Sequence, residues 1–147
     1  MLQRIIDLNE INEDSIFLWG PRQTGKSTLL KQLFPNNPYY DLLKSDVYSR
    51  YKLKPSLFRD ECMMLDEGSV VIVDEVQKIP ALLDEVHWLM TNRGLRFILC
   101  GSSARKLKRS GANLLGGRAI RKVLHPLVSV EIPDFNLEKA INHGMLP

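Results

Sequence analysis

Cysteine is scarce: only Cys62 and Cys100 occur among the 147 residues. Two thiols build neither a disulfide framework nor a zinc set. Both lie in apolar stretches, which reads them as small buried residues in a reducing cytoplasm. No run of about 18 apolar residues occurs, so no membrane-spanning helix is expected. The opening residues Met1-Leu2-Gln3-Arg4-Ile5-Ile6-Asp7 bring an acid early and lack a signal-peptide apolar stretch. The expected location is cytoplasmic, with no membrane partner. Repeats, low-complexity tracts and an internal linker are missing, so residues 1–147 are expected to form one domain around one core. His87 and His125 have no ligand-type residues clustered near them in sequence, which makes each a structural residue rather than a metal ligand.

Acidic residues are missing from one long stretch. Residues 86–130 carry 9 basic side chains and no Asp or Glu, whereas residues 1–85 carry 10 basic and 14 acidic ones. A basic segment suits a polyanion such as nucleotide or nucleic acid. The plainer reading is a solvated basic face beside a phosphate site, and charge alone does not separate the two.

What is present is an ordinary globular composition, 44% hydrophobic and 25% charged. Ser15–Trp19 is a short apolar run that reads as a buried strand, and Lys26–Phe34 has leucines at helical spacing. Tyr39–Leu43 is a second strand candidate. Asp46–Met64 reads as one or two helices with a break near Pro55. Val70–Val73 is β-branched and apolar throughout, as suits a central parallel strand covered on both faces. Pro80 is placed to open a helix whose apolar face is Leu82, Leu83, Val86, Leu89 and Met90. Arg96–Cys100, Ile120–Leu124 and Leu127–Ile132 read as extended, and 133–142 as helical. Trp19 and Trp88 are expected to pack. This alternation, with the G-x-x-x-x-G-K-[ST] run Gly20–Ser27 after the first strand, predicts an α/β fold: a three-layer P-loop NTPase architecture, mostly parallel, with helices on both faces of the sheet. Ligands in such sheets bind beyond the carboxyl ends of the strands.

Three segments at those ends carry chemistry. Gly20-Pro21-Arg22-Gln23-Thr24-Gly25-Lys26-Ser27 fits G-x-x-x-x-G-K-[ST] in full, between a strand and a helix. Average residue usage gives this pattern by accident in about one chain of this length in a few hundred. Its glycines let backbone N–H groups converge on a phosphate, and the helix adds its unpaired N–H groups and dipole. Lys26 is expected at the β- and γ-phosphates, Ser27 on Mg²⁺, and Thr28 near the α-phosphate. Asp74 and Glu75 end the apolar strand. Asp74 is expected to hold the Mg²⁺ shell, mostly through water, and Glu75 to polarise the attacking water. A GTPase would show an Asn-Lys-x-Asp base-reading motif, which this sequence lacks. Cys100-Gly101-Ser102-Ser103 ends the next strand. Ser102 is the first candidate to sense the γ-phosphate or place the water, and an N-cap is its alternative role. Arg118, after the Gly-rich 111–117, either stabilises charge in phosphoryl transfer, from its own or a neighbouring chain, or is a surface arginine.

On these segments the sequence resembles the AAA-superfamily ATPase domain found in many bacterial and archaeal proteins in front of a C-terminal domain of unknown function. The resemblance is carried by Gly20–Ser27, Val73-Asp74-Glu75-Val76-Gln77-Lys78-Ile79-Pro80, Leu99–Ser103, Gly117-Arg118-Ala119, and Pro126-Leu127 with Glu131. Cys100 stands where a hydroxyl residue is expected. The resemblance implies binding of ATP and Mg²⁺ through Lys26, Ser27, Asp74 and Glu75, with Gln77 either at the nucleotide or a polar residue at a helix entry. A helical lid and a second domain are expected to be lacking in 1–147. An ATP-binding switch or remnant with little turnover is therefore the alternative to an ATPase. A second copy of the chain, a partner protein and nucleic acid stay open as partners.

Overall fold

The computed structural model describes residues 8, 11, 13–21, 25–102 and 119–123. Five strands form one all-parallel sheet: β1 (Ser15–Trp19), β2 (Tyr39–Asp41), β3 (Val70–Asp74), β4 (Arg96–Gly101) and β5 (Ala119–Val123). Their order across the sheet is β2-β3-β4-β1-β5. Parallel neighbours require crossovers, and the helices supply them. They are α1 (Lys26–Leu33), α2 (Ser45–Leu53), α3 (Ser56–Cys62) and α4 (Leu82–Arg93), with a 3-10 turn at Val76–Lys78.

The strand alternation sorts the core into two layers. Ile16, Leu18, Ile72, Ile98 and Cys100 face α1, where they meet Leu29 and Leu30. Phe17, Val71, Val73, Phe97 and Leu99 face the other way and pack with Phe58, Leu82, Leu83, Val86 and Leu89. The sheet is therefore covered on both sides, as its unbroken apolar runs anticipate. The expected three-layer α/β fold is the one observed.

Local chemistry sets the element ends. Gly25 caps α1 in the left-handed region at φ 84°, and Gly94 ends α4 in the same way at φ 62°. Pro55 stands at the break between α2 and α3, as expected. Pro80 is not the first residue of α4; it precedes the cap Ala81, and its carbonyl accepts from the Leu83 amide at 3.0 Å. Leu33 is 50% exposed, because α1 ends there before its last leucine reaches the sheet. Trp19 packs in the core, stacked on Phe17, but Trp88 is 39% exposed with the Arg59 guanidinium over its ring. The packing expectation therefore holds for only one of the two tryptophans. The segments expected at 127–132 and 133–142 lie outside the described residues.

No described helix is long and apolar enough to cross a membrane. Cys62 and Cys100 are buried and unpaired. Burial pushes the Cys62 thiol from its ordinary 9.0 up to about 12, and raises Cys100 as well. Both thiols are thus poor nucleophiles at neutral pH.

Candidate functional site

The order of strands brings the chemistry together. β4 is inserted between β1 and β3, so its tip lies between the phosphate loop and the acidic pair. The Gly20 amide donates to the Gly101 carbonyl at 3.2 Å, tying the start of the loop to that tip. Gly20, Pro21, Gly25, Lys26, Ser27, Thr28, Asp74, Glu75 and Ser102 are described; Arg22, Gln23, Thr24 and Arg118 lie outside the described residues.

Lys26 is 6% exposed. Its ammonium donates to the Gly20 carbonyl at 2.7 Å and the Pro21 carbonyl at 3.0 Å. Among the described residues no carboxylate pairs with it. A buried cation held only by neutral acceptors is poorly compensated, and an anionic oxygen is the stronger partner. This lysine is therefore folded back on its own loop.

Asp74 and Glu75 are neighbours that serve opposite sides of the sheet. Asp74 continues the β3 face that looks toward α1. Its Oδ2 accepts from the Ser27 hydroxyl and from the Tyr39 hydroxyl, both at 2.6 Å. No described residue donates to Oδ1. Burial, then the bond to Asp74, holds the Tyr39 hydroxyl protonated far above its ordinary range.

Glu75 then leaves the strand with φ 59°. A left-handed backbone is uncommon for a residue with a Cβ and costs about 1–3 kcal/mol. The Glu75 carbonyl accepts from the Lys78 amide at 3.0 Å, which closes the 3-10 turn over it. The side chain is 5% exposed. Its Oε2 accepts from the Gln77 amide group and from the Ser102 hydroxyl, the latter at 3.3 Å. Gln77 also donates to Ser102 Oγ at 3.3 Å. The three side chains form a closed triangle.

Gln77 is 4% exposed and lies in the 3-10 turn that precedes α4. Its Oε1 is buried with no hydrogen-bond partner among the described residues. That oxygen and the Trp19 ring occupy the space that a Cβ on residue 101 would need. Glycine at 101 is thus a condition of the triangle. Gly101→Ala is expected to cost about 1–3 kcal/mol of stability through overpacking. A urea titration with an unchanged midpoint would show that Gln77 and Trp19 yield freely.

The donor set bears on a metal. Among the described residues no group of three His, Cys, Asp or Glu could hold one. Magnesium does not need such a cage. It takes hard oxygen ligands, keeps several waters, and is bound by one or two protein groups plus phosphates. The Ser27 hydroxyl and the Asp74 carboxylate, paired at the foot of the phosphate loop, fit that requirement.

Sequence reasoning did not single out Tyr39. Its contact with Asp74 spans 35 positions, and a strand tyrosine carries no local signal. It did name Gln77, without its partner.

The family model described as an AAA domain matches residues 12–132. Among solved structures, C. elegans PCH-2 superposes with a TM-score of 0.56 at 19% identity, over 86% of this chain and 40% of that one. Thermotoga maritima RuvB gives 0.53 at 15% identity, over 76% and 37%. At such identities the likeness is one of fold, and this chain spans well under half the length of either. No curated relative matches. The family match begins before β1 and runs past β5, over most of the chain, and the chain belongs to the AAA domain family.

Proposed function

We propose that this domain binds ATP with Mg²⁺ and hydrolyses it at the carboxyl edge of the sheet. Membership of the AAA domain family carries nucleotide binding and ATPase activity at the family level. The observation that carries the finer reading is the convergence of Lys26, Ser27, Asp74, Glu75 and Ser102 on one edge, with Ser27 hydrogen-bonded to Asp74 across 47 positions. Gly20, Pro21, Arg22, Gln23, Thr24, Gly25 and Thr28 are assigned to the loop that encloses the phosphates.

Lys26 exchanges its two carbonyl partners for β- and γ-phosphate oxygens. Ser27 and Asp74 would hold the magnesium ion, which when bound would screen the charge of the phosphates. Glu75 orients the attacking water and accepts its proton, and Ser102 positions Glu75. Arg118 is assigned to the charge that spreads during transfer. The domain is proposed to work in the cytoplasm. The resemblance to domains that precede a second domain suggests that its turnover drives such a partner.

A second reading is favoured by the triangle at Glu75. The base is held by Gln77 and Ser102, and the lysine is held by its own loop. Such a resting state would suit a switch that binds ATP and turns it over slowly. Nucleic acid has less support. Of the basic segment, Arg93 spends its guanidinium on the Met63 and Leu65 carbonyls at 3.1 and 3.4 Å.

Calorimetry with ATP and Mg²⁺, followed by phosphate release on the same material, tests both readings. Binding with turnover is expected. Binding without turnover at any protein concentration would leave the switch. No heat with well-folded protein would remove both.

A further inference from the structure

We propose that Tyr39 is a positioning residue for the metal-binding carboxylate, acting through its hydroxyl on Asp74 Oδ2; the proposal rests on the magnesium role assigned to Asp74.

The geometry is specific. Tyr39 opens β2 and pairs with Ile72, two positions before Asp74 on β3. Its side chain must therefore lean along the strand direction to reach the carboxylate, and a phenol is long enough to do so. The hydroxyl meets Oδ2 at 2.6 Å, the same distance as Ser27 Oγ. One carboxylate oxygen thus carries two donors. An ionised carboxylate has about four acceptor positions, two on each oxygen. Filling both on Oδ2 leaves Oδ1 as the oxygen free to face the water shell of an ion.

The phenol is itself held. The Lys31 ammonium stands 5.2 Å from its ring centroid. Lys31 and Ser27 are four apart on α1, so they share one face of that helix about 6 Å from one another along its axis. Lys31 meets the ring while Ser27 meets the same oxygen as the hydroxyl. Tyr39 therefore locks the rotation of the Asp74 carboxylate to the helix that follows the phosphate loop. Ser27 alone would not do this, because its hydroxyl would also be taken by the metal. The ring also lines an open cleft of about 270 Å³ with Phe34, Asn37 and Lys44 and packs in part against the α1-side core, and a phenylalanine keeps that ring packing while losing the hydroxyl.

The test is a magnesium titration of the whole chain at a fixed concentration of a non-hydrolysable ATP analogue, read by calorimetry. Tyr39→Phe is expected to raise the magnesium concentration for half-maximal effect about tenfold, the usual size of a loss behind a metal ligand. Its affinity for the analogue in EDTA should stay within about twofold of wild type. Tyr39→Leu separates the hydroxyl from the ring. Equal shifts in the two variants support the proposal. A shift in the leucine variant alone would overturn it, since ring packing would then be the cause. An unchanged midpoint in both would overturn it too. Should wild type bind the analogue with no magnesium dependence, the role of Asp74 falls and that of Tyr39 falls with it.

Discussion

Phosphate release by a Glu75→Gln variant is expected to fall at least about 100-fold, while ATP affinity stays within about threefold of wild type. The two side chains have the same shape, and Gln77 and Ser102 can still donate to the amide oxygen that replaces Oε2. What disappears is a group able to take a proton from water. The carboxylate is suited to that task by its setting. It is 5% exposed, and both of its described donors fall on one oxygen. No described residue donates to the other oxygen. Equal rates in the two proteins would remove Glu75 from the chemistry and leave its left-handed backbone without a functional reason.

Lys26→Met is expected to weaken ATP binding at least about 100-fold, the scale on which a single preorganised donor to a charged oxygen acts. Stability should move differently. The native ammonium is buried with two neutral carbonyls as partners, so an apolar chain of similar length relieves desolvation even as it abandons those bonds. The variant is therefore expected to unfold within about 1 kcal/mol of wild type while losing its ligand. Calorimetry with ATP and a urea titration on the same preparation separate the two effects. An unchanged ATP affinity would place the phosphates somewhere other than the loop. A large loss of stability would mean that Lys26 serves the fold first.

Much of this site was legible from local patterns. The phosphate loop and the strand ending in Asp74 declare themselves within eight and five residues, because each needs its parts adjacent in the chain. The fold was legible for the same reason: β3 is apolar at every position before its acid, which only a strand covered on both faces tolerates. Tyr39 was not legible. Its meaning depends on which strand lies beside β3, and no periodicity in residues 39–41 reports a neighbour. Gln77 was half legible: its motif marked it, but only the fold brings Ser102 within reach of its amide. Trp88 was misjudged for a third reason, since hydrophobicity alone does not say which face of a helix a large ring takes.

Asp74 and Glu75 are separated by a single peptide unit, yet each is anchored to a different layer of the domain. The left-handed backbone at Glu75 sets where the second acid departs from the strand, and the hydrogen bonds on each side fix both carboxylates. The residues proposed to hold the ion and to accept the proton are thus kept at one spacing by the covalent chain itself.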